Sequence, residues 1–383
     1  MKTATLSKLE IKKLSKACAK VLIAHAKQQD AKDRLEFIIG CEEVAIVVLT
    51  GPTGSGKSTL LHQFASEYLA ELASQMKADC SMRPVAYCIA TASGHKAFDW
   101  KQLYKSTLRN LGDPFASTRQ KRNDGRKPST ILPGESAPAA LLREQLEAEF
   151  IARGTTVWII DEAQHVLRGG KSGTAGDQYD ILKSLAQTAG VQLILCGPFD
   201  LPTSMSHSGQ LSRRTARVSL NRYRLTSEDK KVYASTLNSL LKKLPIPMAY
   251  PDVKDNFKFF YVRTLGCVGI FNDWATRAFL LAARTGEKEI TLEHFKETTL
   301  SPQQLRTINQ EILSGELEYG DIAAEPDEEL VRSIIHNAMY SSPRALPDDI
   351  RLTTAGGSRK KAKAKNSKPG ERIQTRDQVG GEV

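Results

Sequence analysis

The sequence predicts a doubly wound α/β fold, a parallel sheet covered by helices on both faces, followed by a helical cap. Three observations lead there. Short apolar runs rich in β-branched residues recur through the first 224 residues, most of them followed by a segment of helical periodicity. The first run breaks at a glycine-rich turn of defined spacing. From Thr226 onward strand patterns give way to helical ones.

The elements follow in order. The stretch "VAIVVLTGPTGSGKSTLLHQF" opens with a strand over Val44 to Leu49, apolar at successive positions and so buried on both faces. It stops at Gly51, where Gly51, Pro52, Thr53, Gly54, Ser55, Gly56, Lys57, Ser58 and Thr59 carry the phosphate-loop pattern G-x-x-x-x-G-K-S. The glycines let successive N–H groups face an anion, Lys57 reaches the β and γ oxygens, and the Ser58 hydroxyl ligates Mg²⁺. A helix from Ser58 to about Ser74 points its positive end at the same anion. ATP and Mg²⁺ are therefore the expected ligands.

"RPVAYCIATA" reads as a second strand and "DWKQLYKSTLRNLG" as the helix after it. "PAALLREQLEAEFIARG" is amphipathic, with Leu141, Leu142, Leu146 and Phe150 at helical spacing. In "TTVWIIDEAQHVL" a buried strand over Thr156 to Ile160 delivers Asp161 and Glu162 to the sheet edge. There Asp161 would hold Mg²⁺, usually through water, and Glu162 would polarise the attacking water. "VQLILCGPFDL" is a strand with a sharp Gly197-Pro198 exit, and "ARVSLNRYRL" supplies the last one. The cap is built from "SEDKKVYASTLNSLLKKL", "KDNFKFFYVRTL", "GIFNDWATRAFLLAARTG" and "TLEHFKETTL". Trp100, Trp158 and Trp274 fall within these patterns as core residues, and His95 as a loop residue.

With 383 residues, 40% apolar and 25% charged, the chain has the composition of a globular protein with ample core. No apolar run approaches a membrane span, and the N-terminus lacks the apolar block of a signal peptide, so an intracellular protein with no membrane partner is expected. Six scattered cysteines without a C-x-x-C pair read as reduced thiols rather than disulfides or zinc ligands. The net charge is +11, and the last 33 residues hold nine Lys/Arg against three Asp/Glu, the composition of a disordered tether. A second basic cluster, "RQKRNDGRKP", lies in a loop inside the α/β region. Each cluster alone is compatible with a solvated surface; together, on a nucleotide-binding chain, they point toward nucleic acid.

Strands first and a helical cap after is the layout of AAA+ ATPases. More particularly, "LTGPTGSGKST", "WIIDEAQHVL", "LILCGPFDL", "QLSRRTARVSL" and "RTLGCVGIFNDWATRAFLLAARTGEKEIT" make residues 36–315 resemble the TnsC/TniB family of AAA+ transposition regulators. The resemblance implies a cytoplasmic, DNA-associated bacterial ATPase that forms rings or filaments on double-stranded DNA. It also implies a link between a target-selection protein and a transposase. It places an arginine reaching a neighbouring subunit's γ-phosphate at Arg213 or Arg214. It puts DNA contacts after the second strand, with Lys96, Lys101 and Lys105 as candidates and Lys121, Arg122, Arg126 and Lys127 in the loop beyond. The organisation implied is an N-terminal amphipathic helical extension (1–35), an α/β core (36–224), a helical lid (225–318), and a C-terminal helix with a basic tail (319–383).

Two departures from the family pattern stand out. At Cys196-Gly197-Pro198, where related regulators often have Gly-Thr, Pro198 offers no side-chain donor to orient the lytic water, so that role is vacant or filled from elsewhere. The lid helix has no early arginine, since Arg277 comes only two turns in, after Asn272 and Asp273. Both imply slow hydrolysis, a switch rather than a motor. Two other readings stay open: a replication initiator or helicase loader, which more often brings a helix-turn-helix, and a signalling or secretion ATPase that does not bind DNA.

Overall fold

The computed structural model describes residues 10–11, 13–14, 25–41, 44–92, 98–112, 138–167, 175–201, 215–249 and 253–319. All fall in the first of two compact units, residues 1–327. The basic tail, the loop with Lys121, Arg122, Arg126 and Lys127, Lys96, Arg213 and Arg214 lie outside the described residues.

The apolar runs become five strands: β1 (Ile46–Thr50), β2 (Val85–Ile89), β3 (Val157–Asp161), β4 (Gln192–Gly197) and β5 (Thr215–Ser219). They pair in parallel in the order β2-β3-β4-β1-β5. The central β1 and β3 are buried at every position and β4 at all but its first, which is why their sequences are continuously apolar. The edge strands β2 and β5 are buried at only some positions and carry polar residues between.

Successive side chains enter opposite cores. Val48, Trp158, Ile160 and Leu195 meet α4 (Trp100–Asn110), α5 (Ala139–Ala152) and α7 (Ala175–Ala189). Val47, Leu49, Ile159 and Ile194 meet α1 (Ala26–Ile39) and α2 (Lys57–Glu71). Short helices α3 (Ala73–Ala78) and α6 (Gln164–Leu167) complete the α/β part. On α5 the inward stripe is Leu142, Leu146 and Phe150, each one turn apart; Leu141, expected among them, is 54% exposed. Trp158 and Trp274 are fully buried, while Trp100 is half-buried and donates from Nε1 to Gln178 Oε1 at 2.8 Å.

The cap comprises α8 (Ser227–Lys242), α9 (Phe257–Thr264), α10 (Val268–Thr285) and α11 (Leu292–Thr298). Thr226 caps α8 by accepting from the Asp229 N–H, and the acidic Glu228 and Asp229 suit the positive end of that helix. Tyr233, Phe260, Phe271, Trp274 and Phe295 form an aromatic core in which Trp274 Nε1 donates to the Phe295 carbonyl at 2.8 Å. A further helix, α12 (Pro302–Tyr319), which no motif marks, follows the cap. The described residues contain no helix long and apolar enough to cross a membrane. Among the described residues Cys88, Cys196 and Cys267 are buried thiols, Cys41 is half-buried and Cys80 exposed.

Helix α1 crosses the boundary drawn at residue 35 and belongs to the core: Ala31, Leu35 and Ile39 pack against β1, β5 and α2. Its start reaches the cap instead. His25 Nδ1 lies 3.1 Å from the Tyr223 hydroxyl, and Lys27 Nζ lies 3.1 Å from Asp229 on α8. Burial pushes the His25 pKa from 6.5 down to about 4, so the folded chain keeps it neutral where the unfolded chain takes a proton. The stability carried by neutral His25 is full above pH 6.5 and drains between 6.5 and 4, by at most ~3 kcal/mol. Urea midpoints measured from about pH 7.5 to 5 are expected to fall, and His25→Gln to flatten the fall above the carboxylate range.

Candidate active site

Parallel pairing brings the C-terminal ends of the strands to one edge. Thr50 is in register with Gly197, Leu49 with Cys196, and Ile89 with Asp161. The phosphate loop leaves β1, the acidic pair leaves β3, and the Gly197-Pro198 exit leaves β4, all on that edge. The site is therefore assembled by strand register from three remote segments.

In the loop, Gly56 takes φ +101° and caps the start of α2, a conformation that L side chains rarely adopt. Lys57 Nζ donates to the carbonyls of Gly51 and Pro52, both at 2.8 Å, which holds the ammonium over the loop. Ser55 Oγ is buried with no hydrogen-bond partner among the described residues. Ser58 and Thr59 stand in the first turn of α2, Ser58 exposed. The loop also touches the cap, because a Cβ on Gly269 would stand 2.4 Å from the Gly54 carbonyl oxygen. Glycine at 269 is what allows α10 to start in contact with the loop backbone.

Asp161 is 4% exposed, and each of its carboxylate oxygens accepts one hydrogen bond. The Tyr87 hydroxyl donates to Oδ2 at 2.9 Å and the Glu162 N–H donates to Oδ1 at 2.8 Å. These bonds fix the carboxylate and leave further lone pairs for a cation. Burial, the neighbouring Asp161 charge and the bond to it together push the Tyr87 pKa well up, so the phenol remains a donor. The His62 ring from α2 stacks on Tyr87 with centroids 4.6 Å apart. Glu162 is exposed, at φ +55°, and its carboxylate accepts from Gln164 Nε2.

Lys57, Ser58, Asp161 and Glu162 thus stand on one edge of the sheet. Lys101 and Lys105 sit one turn apart on α4, flanking the buried stripe of Leu103, Tyr104, Thr107 and Leu108; Lys101 is exposed and Lys105 half-buried. Arg277 donates from Nε to the Thr298 carbonyl at 3.1 Å, a cap-internal bond.

Sequence patterns miss four contributors. Tyr87 and His62 lie in a strand and a helix without a motif. Gln164 follows the acidic pair. Helix α12 lies over the site: the Thr53 hydroxyl donates to Glu311 Oε1 at 3.0 Å, and Arg222, 4% exposed, makes two bonds to Glu316 at 2.8 and 2.9 Å. Burial works against the Arg222 charge, but bonding to Glu316 and its attraction outweigh this and raise the pKa overall. A proton-independent charge facing a paired carboxylate is the strong, bidentate kind of ion pair.

The residues fit a nucleotide with Mg²⁺: an unpartnered buried hydroxyl in a glycine-rich loop, a lysine over it, and a rigidly held carboxylate at the sheet edge. Ser58 and Asp161 would hold the ion. Among the described residues no group of three or more His, Cys, Asp and Glu that could hold a metal ion comes together.

Residues 42–204 match the family model described as the AAA domain. With the strand order found, the α/β part has the AAA+ P-loop NTPase fold, followed by a helical C-terminal region. No curated protein matches the chain. Among solved structures, the ORC2 protein of Aeropyrum pernix in its ADP form is 13% identical, with a TM-score of 0.49, covering 84% of this chain and 88% of that one. Cdc6p of Pyrobaculum aerophilum is 12% identical, with a TM-score of 0.49 and coverage of 85% and 89%. The Walker-type ATPase of Pyrococcus abyssi is 16% identical, with a TM-score of 0.44 and coverage of 80% and 75%.

Removing the outer support of Asp161 should weaken cation binding selectively. Tyr87→Phe is expected to raise the Mg²⁺ concentration for half-maximal nucleotide binding by about 10- to 100-fold. A titration with fluorescent ATP, with and without EDTA, checks this; equal losses with and without metal would contradict the role given to Tyr87.

Proposed function

We propose that this chain is an ATP-gated AAA+ regulator that assembles on double-stranded DNA, as a ring or a helical filament. In this reading it links a target-selection protein to a transposase, and slow hydrolysis releases its subunits. The observation that carries ATP gating is mechanical: the phosphate loop touches the cap at Gly54–Gly269 and α12 at Thr53–Glu311. Phosphates held there act on two helical elements at once, and those elements offer a neighbouring subunit something to sense.

In hydrolysis Glu162 accepts a proton from the attacking water as the water oxygen bonds to the γ-phosphorus. The bond to the β–γ bridging oxygen breaks, and its electron pair leaves with ADP. Lys57 gives up its loop carbonyls for phosphate oxygens, and the loop N–H groups hold the same oxygens. Mg²⁺, when bound through Ser58 and Asp161, neutralises phosphate charge. Arg213 or Arg214 of an adjacent subunit would complete the charge stabilisation and make hydrolysis depend on assembly. DNA would be held by phosphate contacts from Lys101 and Lys105, joined by Lys96, Lys121, Arg122, Arg126 and Lys127, without reading sequence. The transposition partners rest on the sequence resemblance alone.

Electron microscopy with random-sequence duplex DNA, with and without a non-hydrolysable ATP analogue, tests the reading. Nucleotide-dependent rings or filaments are expected, absent in Lys57→Ala and persistent in Glu162→Gln with ATP; faster disassembly of Glu162→Gln would contradict it. Preference for one defined duplex would favour an initiator or loader, and indifference to DNA a switch acting on proteins. In a separate titration, Lys101→Ala/Lys105→Ala is expected to weaken duplex binding uniformly across sequences. The slope of log affinity against log salt should also become shallower by roughly 1 to 2, about one unit for each phosphate no longer neutralised.

A further inference from the structure

Gly197, which ends β4, and Pro198 after it carry no side chain able to orient water, yet the space beside them is filled. A Cβ placed on Gly197 would stand 2.8 Å from Gln164 Oε1, closer than real Cβ atoms come to any neighbour. Gln164 Oε1 is itself buried and has no hydrogen-bond partner among the described residues. Its other terminus, Nε2, donates to Glu162 Oε2. Only the NH₂ end can face a carboxylate favourably, so the Glu162 bond fixes which way the amide points. The backbone supports the arrangement: Glu162 at φ +55° turns the chain sharply after β3, and the Ala163 N–H is tied to the Cys196 carbonyl at 2.8 Å. A left-handed non-glycine residue persists where its surroundings over-determine it.

We infer that Gln164 is the positioning residue for Glu162, standing in from the start of α6 for the side chain that the end of β4 lacks. Gly197 is bare because the carboxamide occupies the volume its side chain would need. The amide holds one carboxylate oxygen and leaves the other to take the proton from water. This rests on reading Glu162 as the base, and the experiment separates the two claims.

Steady-state ATP hydrolysis by the full chain on duplex DNA is measured for Gln164→Glu, Gln164→Ala, Gly197→Ala and the double Gln164→Ala/Gly197→Ala, with ATP affinity measured separately. Gln164→Glu keeps the shape and loses the donor. It is expected to lower kcat roughly 10- to 100-fold, with ATP affinity within about threefold, the cost of a misplaced catalytic group. Gly197→Ala removes no polar group but displaces the amide, and should lower kcat similarly. With Ala at 164 the displaced group is absent, so adding Gly197→Ala should cost less than about twofold, a non-additive pair. An unchanged or raised kcat in the Gln164 variants, a parallel fall in ATP affinity, or full additivity of the pair would each overturn the inference. Glu162→Gln is the reference: if it hydrolyses ATP at the parent rate, the base assignment fails, whereas an inactive Glu162→Gln beside unaffected Gln164 variants sinks only the role of Gln164.

Discussion

Everything at the site depends on β4 lying between β1 and β3 in parallel register. Because Leu49 faces Cys196 and Ile160 faces Leu195, three segments that are remote in sequence end at one level. A slip of one residue would turn every side chain of the slipped strand to the other face and move Asp161 off the edge. The register is specified by burial: Val47, Val48, Ile159, Ile160, Ile194 and Leu195 are each essentially inaccessible and interlock with helices on both sides. Catalytic geometry here is a by-product of core packing.

Two charged or polar clamps then decide where the helical cap sits. At one side, His25 and Lys27 join the start of α1 to Tyr223 and Asp229. At the other, Arg222 at the exit of β5 pairs with Glu316 on α12 and donates to the Leu265 carbonyl at the end of α9 in the cap. A buried ion pair is a weak source of stability, because desolvation consumes most of its Coulombic gain, but losing one partner costs about 3–5 kcal/mol. Its value is selectivity among arrangements: an apolar contact tolerates sliding, whereas a two-point Arg–carboxylate contact does not. The cap is thus registered against the core by directional bonds and filled by an aromatic interior.

What is legible in the sequence follows physical strength of signal. The central strands can be read to within a residue or two because burial on both faces forces unbroken apolar runs, and the phosphate loop because its glycines answer to backbone needs no other residue meets. Helices α8 to α11 are readable from their amphipathic spacing. Helix α12 is not, since its inward contacts are a glycine on Phe199, the two isoleucines Ile308 and Ile312, and two glutamates, too short an apolar run to mark a helix. Leu141 reads as inward because it neighbours Leu142, and only packing distinguishes two adjacent leucines on a helix. At the site, Lys57, Asp161 and Glu162 carry motif signals. Tyr87 carries none, and Gln164, though it stands inside the WIIDEAQHVL motif, has no role marked there, because both act through another residue.

The contact between Gly54 and Gly269 has a geometrical corollary. Helix α10 begins there and runs 18 residues, about 27 Å at 1.5 Å per residue. Backbone against backbone leaves no flexible side chain to absorb displacement, so the junction acts as a fulcrum and α10 as its long arm. A tilt of about 10° at the phosphate end sweeps Thr285 through roughly 5 Å, comparable with one helical turn. Movements too small to notice around a phosphate would arrive at the outer end of the arm as a change of a whole contact surface.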